Sequence, residues 1–283
     1  MKWKQGLLFI LLAVCITGLF GCTTELTGTR LSGQADRSTT VTGKLTLNGS
    51  TSMTKLCQAL GEAFSAKYPG VTVEKSGTGS GDAPNSVRSG IALIGDLSRA
   101  LKDSEHPEEF EIQQIAIDGV AITVNRANSV QALTTEQVRR IFSGQITNWS
   151  ELGGEDRSIT ALGREAASGT RDGFESIFGI EKPAYAAELS STGEIVTKIA
   201  SDPSAIGYIS LESLNDNVAA CTIDGAAATE ENIKNGSYTV QRSFLQIYKK
   251  GTDSVLIDAW FAFINSEEGQ TVIREVGLIG MGS

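Results

Sequence analysis

Residues 45–64, LTLNGSTSMTKLCQALGEAF, hold the reading that decides the fold. Leu45 and Leu47 alternate with polar neighbours, which predicts a short strand, and Asn48-Gly49 predicts a turn. Met53, Leu56, Leu60 and Phe64 then recur at spacings of three and four, which predicts a helix with one apolar stripe. Pro69-Gly70 stops that helix. Val71 and Val73 begin a second strand that runs into Gly77-Thr78-Gly79-Ser80-Gly81, and a short helix with an early Pro84 follows. Ile91 and Leu93 predict a third strand ending at Gly95. This β-α-β-α-β order predicts an α/β fold built on a parallel sheet with helices on both faces.

The same alternation continues toward the C-terminus. Two extended runs are predicted around 112–117 and 120–124. Thr134 and Gln137 form a capping box for a helix through Phe142, closed by Gly144. Ile159 and Leu162 flank a strand leading into Ser168-Gly169-Thr170. Helices are predicted around Phe174, Ile177 and Phe178, and around Ile195, Val196 and Ile199. Ile206 and Tyr208 alternate as a strand, Val240, Phe244 and Ile247 as a later extended segment, and Val255, Ala259, Trp260 and Phe263 share a C-terminal helix face. The runs near 112–125 and 240–250 flank a middle block, as two crossings between lobes would. That arrangement leaves a cleft between the lobes and a hinge of extended chain.

The N-terminus reads as an address. Lys2 and Lys4 precede a nearly unbroken apolar run from Gly6 to Phe20, too short for a comfortable membrane span and suited to a secretory signal. Leu19-Phe20-Gly21-Cys22 looks like a bacterial lipobox, which predicts a signal peptide over 1–21 and lipidation of Cys22. Residues 23–40 are rich in Thr, Ser and Gly, a tether whose root-mean-square reach is roughly 25 Å. Cys15 leaves with the signal. Cys57 and Cys221 follow no metal spacing; a buried thiol and a disulfide both fit an exported protein.

Composition bounds the chemistry. The 283 residues carry 24 Lys and Arg against 33 Asp and Glu, a formal charge of −9 that offers nucleic acid no broad attraction. With one histidine, multi-His zinc sites are excluded, and a Ser-His-Asp or Cys-His arrangement rests entirely on His106, in the polar turn Ser104-Glu105-His106-Pro107. No metal or cofactor is expected.

Three strand-to-helix junctions share one signature: Gly49-Ser50-Thr51-Ser52, Gly79-Ser80-Gly81 and Ser168-Gly169-Thr170. Small residues admit a ligand to the backbone, and each precedes a helix whose first N–H groups lack internal partners and carry partial positive charge. Hydroxyls add rotatable donors. Ordinary capping explains any one such loop, but three at the carboxyl ends of strands describe an anion-binding device. Arg164, four residues before Ser168, adds a fork that grips an oxyanion with two N–H groups, and Glu165 or Asp172 could steady it.

With these motifs in order, the chain resembles the phosphate-binding protein of bacterial ABC phosphate transporters in its short lipoprotein form. The resemblance runs from about Lys44 onward. It rests on the three loops, on Ile94-Gly95-Asp96-Leu97-Ser98-Arg99, on Ile141-Phe142-Ser143-Gly144 with Thr147-Asn148-Trp149, on Arg164, and on Ile206-Gly207-Tyr208. It implies a two-lobed periplasmic-binding-protein-like α/β fold with a two-strand hinge, lobe I spanning 41–118 and 246–283 and lobe II spanning 119–245. It also implies a phosphate site of Thr51, Ser52, Ser80, Ser98, Arg164, Ser168, Gly169 and Thr170. Ser98 falls where some members place an aspartate that accepts the proton of hydrogen phosphate, and Asp96 could supply that acceptor if the loop turns differently. Ala166 likewise replaces an aspartate that steadies the Arg in some members. The implied protein is an extracytoplasmic monomer without catalytic residues, anchored to the membrane by its lipid, that hands phosphate to a membrane permease. The alternatives are a receptor for sulfate, molybdate or a phosphonate, or an exported phosphatase or esterase.

Overall fold

In the computed structural model, which describes residues 41–281, β1 (Gly43–Gly49) lies between two parallel neighbours. The stretch expected to form the signal peptide, Cys22 and the expected tether lie outside the described residues. A 3-10 turn at Thr51–Met53 leads into α1 (Thr54–Lys67), whose Leu56, Leu60 and Phe64 face the core as their spacing predicts. The chain returns through β2 (Val71–Gly77), α2 (Ala83–Arg88) and β3 (Ile94–Leu97), with β2 and β3 pairing on opposite sides of β1.

The third strand departs from expectation. It begins at Ile94, and Ile91 is 72% exposed. Gly90 adopts a left-handed φ of +74° and Ala92 N–H returns to Ser86 C=O, so residues 90–92 belong to the turn that leaves α2. Short apolar spacing alone cannot distinguish a turn exit from a strand start.

β4 (Phe110–Asn125) is one 16-residue strand where two runs were expected. Asp118 and Gly119 read as a break in sequence. In the fold Asp118 is directly opposite Arg242 on a paired strand, which satisfies its charge and lets the strand continue. Then follow β5 (Ala132–Leu133), α3 (Thr135–Phe142), β6 (Thr160–Arg164), α4 (Gly169–Phe178), β7 (Ala187–Leu189), α5 (Thr192–Ser201) and β8 (Ala205–Ser210). The Thr134/Gln137 capping box forms as predicted. β9 (Val218–Ala220), β10 (Thr222–Ile223) and α6 (Glu230–Lys234) lead into β11 (Gln241–Lys249). The chain closes with α7 (Val255–Ile264), α8 (Glu267–Glu275) and β12 (Ile279–Gly280).

The main sheet runs β2-β1-β3-β11-β4-β8-β6-β7, with β9 and β12 also pairing with β4. The outer strands pair in parallel, and the central β11–β4 ladder is antiparallel. The two larger of three hydrophobic clusters flank this ladder. The first gathers Leu45, Leu47, Leu56, Phe64, Trp260 and Phe263; the second gathers Ile122, Phe142, Trp149, Phe174, Ile195 and Tyr208. β4 serves both, with Ile115 and Ala116 in the first and Val120 to Val124 in the second. Val240 packs in the second core and Phe244 in the first, so the returning chain changes core between them, while Ile279 packs with the second. The molecule is thus a two-lobed α/β structure whose lobes share two long crossing strands. Cys57 and Cys221 are free and buried, one in each core.

Candidate anion-binding site

The three glycine- and hydroxyl-rich loops meet at one place between the two cores. Ser52 Oγ lies 2.6 Å from Thr170 Oγ1, so the first loop and the start of α4 touch through their hydroxyls. Ser80 Oγ lies 3.2 Å from Ser98 Oγ and accepts the Ser98 N–H at 3.1 Å. Gly81 N–H donates to Ala167 C=O at 2.9 Å, tying the second loop to the residue before Ser168. Ser52, Ser80, Ser98, Ser168 and Thr170 are all almost wholly buried.

Gly169 makes this approach feasible. A Cβ there would collide with the Ser80 hydroxyl and sit 2.6 Å from the Ser98 hydroxyl. Only glycine lets the N-terminus of α4 come so near the opposing loops. Ser168 caps α4 by accepting the Arg171 N–H at 3.3 Å, which leaves its hydroxyl proton free to donate. The first N–H groups of this helix have no intrahelical acceptor and carry partial positive charge.

Arg164 ends β6 and is 1% exposed. Its Nη1 donates to Thr192 Oγ1 at 3.1 Å, and its Nη2 to Thr51 Oγ1 at 3.1 Å and Ser190 C=O at 2.8 Å. Nε donates to Leu189 C=O at 3.1 Å. Among the described residues no carboxylate lies within ion-pair distance of this guanidinium. Burial pushes its pKa down to about 10, the expected effect of desolvating a cation whose nearest acids, Glu165 and Glu194, act only from beyond ion-pair distance. Tyr208, stacked on Phe174 with ring centroids 3.9 Å apart, accepts the Arg164 backbone N–H at 3.0 Å and helps hold the strand end.

Two expectations about carboxylates are overturned. Neither Glu165 nor Asp172 steadies Arg164; the carbonyls of Leu189 and Ser190 with Thr192 do so, while Asp172 pairs with Arg99 and Lys102. Asp96 does not turn toward Ser98 as a proton acceptor. It is fully buried, 2.9 Å from Lys75 Nζ, and accepts the Gln246 amide at 2.8 Å. An aspartate beside a buried lysine is held where its own charge is satisfied.

Two participants stand outside the site residues that the resemblance implied. Ser50, already part of the first loop's signature, donates to Ser98 Oγ at 2.9 Å while accepting the Ser52 N–H at 3.3 Å. Thr192 joins both sides, 3.2 Å from Ser52 Oγ and 3.4 Å from Thr51 Oγ1. Ser190-Ser191-Thr192-Gly193 carries the same hydroxyl-glycine signature at a helix start as the three loops, with Ser191 capping α5, and that was the available signal. His106 is elsewhere in chemical terms. Its exposed ring lies 3.3 Å from Glu108, and the site hydroxyls bond to hydroxyls, backbone and Arg164.

The arrangement gathers neutral donors and one buried cation in direct contact with one another, a donor set that suits a compact oxyanion. Comparison with known proteins points the same way. Residues 34–268 match the family model of the PBP superfamily domain. The phosphate-binding protein PstS of Bacillus subtilis is 32% identical over 243 residues, covering 84% of this chain and 80% of that protein. The crystal structure of a phosphate ABC transporter substrate-binding protein with bound phosphate from Clostridium perfringens is 37% identical, with a TM-score of 0.82 over 84% of this chain and all (100%) of the other. An ABC-type phosphate transport receptor from Vibrio cholerae is 34% identical, with a TM-score of 0.69 over 84% of this chain and 100% of its own.

Proposed function

Since the chain belongs to the PBP superfamily and, within it, to the phosphate-binding proteins of ABC transport, we propose that it captures inorganic phosphate outside the cytoplasm and delivers it to a membrane permease. The observation that carries this reading is Arg164: a buried guanidinium with no carboxylate in ion-pair reach among the described residues, its fork turned to Thr51 and Thr192 among converging hydroxyls. A buried cation without a counter-charge is costly, and a bound oxyanion offsets that cost. Thr51, Ser52, Ser80 and Ser98 donate from one side, and Arg164, Ser168, Gly169 and Thr170 from the other. Charged hydrogen bonds of about 1.5–3 kcal/mol each are ample for micromolar capture, which needs about −8 kcal/mol.

Closure bends the chain at β4 and β11, with 41–118 and 246–283 moving against 119–245. The protein acts as a monomer, held to the cell membrane by lipid on Cys22 and the 23–40 tether, and it is not an enzyme. The serines here have no imidazole partner to activate them.

Titration calorimetry of the soluble body with phosphate tests the reading. Binding at micromolar or tighter affinity is expected, and equal displacement by sulfate would overturn the phosphate assignment. The sulfate reading keeps one specific support, since Ser98 can donate to an unprotonated oxygen where a carboxylate would repel it. Robust turnover of a generic phosphate ester would overturn the non-enzymatic assignment.

A further inference from the structure

The helix that presents Ser168, Gly169 and Thr170 to the site also carries Asp172, one residue pair further along α4. Asp172 Oδ2 lies 2.7 Å from Arg99 Nε and 2.9 Å from Lys102 Nζ. Arg99 and Lys102 belong to the loop after β3, directly beyond Ser98, and β3 pairs with β1 and β11. Among the described residues these are the ion pairs that join α4 to the loop after β3; the rest are local to one side or, like Asp118–Arg242, lie within the crossing strands.

Arg99 is held ready for this pairing. Glu105 accepts from its Nη1 and Nη2 at 2.7 and 2.6 Å, and Ala100 C=O accepts from Nη1 at 2.7 Å. Its side chain is 8% exposed and that of Asp172 25%, so the contact is partly shielded from solvent. Although burial opposes it, the bonds that Arg99 donates to Glu105 hold it above its ordinary pKa. Arg99 and Asp172 also line a groove of about 360 Å³ that reaches Ser98 and Arg242.

We propose that Arg99 and Asp172 form a ligand-retention latch: the Asp172 carboxylate docks on the pre-positioned Arg99 only when the N-terminus of α4 is drawn against the Ser80 and Ser98 loops, so that the pair slows release of the bound anion. Ser98 and Arg99 are adjacent on one side, and Thr170 and Asp172 are two residues apart on the other. Anion capture and latch formation therefore use the same rigid pieces, and movement of one requires movement of the other. The residues are positioning residues for retention and touch no ligand. Lys102 adds a second, more exposed contact to the same carboxylate.

The latch rests on the phosphate reading, and its test separates the two. Radiolabelled phosphate is loaded on the full soluble body and its release into excess unlabelled phosphate is timed for wild type, Asp172→Asn, Arg99→Gln and the double variant. Thermal melts verify that each is folded. Each single change is expected to speed release about five- to tenfold with association nearly unchanged, and the double variant should release no faster than the more affected single. Added salt should speed wild-type release and leave Asp172→Asn unmoved, a response that a merely structural role does not give. In parallel, spin labels at exposed Ala66 and Ala200 report the separation of the lobes without needing phosphate. Asp172→Asn should shift that distribution to longer distances. Unchanged release rates, or singles whose effects multiply in the double variant, overturn the latch. Wild type that fails to hold phosphate overturns the phosphate reading instead, and the distance shift then decides the latch alone.

Discussion

Arg164 and Arg242 are both buried arginines at strand positions, and they are satisfied in opposite ways. Arg242 donates from Nε and Nη2 to Asp118 at 3.0 and 2.9 Å, and Asp118 also accepts from Ser210 Oγ and Leu211 N–H. Arg164 has carbonyl and hydroxyl partners only. Burial lowers the pKa of both, but Asp118 works against that fall at Arg242. A cation with its own acid nearby is part of the scaffold. On the reading proposed above, a cation left with neutral partners is poised for a charge that arrives from outside, so the same residue type serves the crossing strands in one place and the ligand in the other.

The sharpest way to break this contrast is Arg164→Ala. It should lower phosphate affinity by about 3–6 kcal/mol, two charged hydrogen bonds' worth, while chemical denaturation shows stability unchanged or higher. Loss of stability with affinity intact would reverse the assigned roles. Arg242→Met is the counterpart. It leaves Asp118 buried without its partner and should cost about 3–5 kcal/mol of unfolding free energy, read by urea titration. A variant as stable as wild type would show that Asp118 needs no cation.

Gly169→Ala tests the close approach on which both sides of the site depend. Its methyl meets the Ser80 and Ser98 hydroxyls, so affinity should fall by about 1–3 kcal/mol, measured by calorimetry. Unweakened binding would mean that the loops separate more than this geometry allows.

A pH-dependent effect concerns Glu212, whose buried carboxyl is pushed up to about 8 by burial and then by the charge of Asp118. The folded state therefore holds a proton that the unfolded chain releases near its ordinary carboxylate pKa. Its stabilising contribution is full below that ordinary value and is lost as pH rises toward about 8. Melting temperature should accordingly decline across this window, and Glu212→Gln should flatten the decline. An equal slope in the variant would place the titration elsewhere.

Much of this architecture was legible along the chain. Local periodicity announced α1, the capping box announced α3, and paired extended runs announced β4 and β11, because each signal involves neighbours within one or two turns. Ile91 misled, since apolar spacing does not say where a turn ends. Asp118-Gly119 misled because a charge inside a strand becomes acceptable only when a distant arginine lies opposite. Thr192 went unread although Ser190-Ser191-Thr192-Gly193 repeats the loop signature, because one such loop taken alone is explained by capping.

The order of residues by itself determined the loop chemistry, the helix starts that expose N–H groups, and the glycine that admits a neighbour, since these follow from local sterics and hydrogen-bonding capacity. Only the tertiary structure decided which charges cancel. It gave Asp96 to Lys75, Asp118 to Arg242 and Asp172 to Arg99, and among the described residues it left Arg164 without an acid in ion-pair reach. Pairing of charges depends on which side chains are brought within a few ångströms in a medium of low polarity, and contacts across 21 to 124 residues of sequence are set by the packing of the whole sheet.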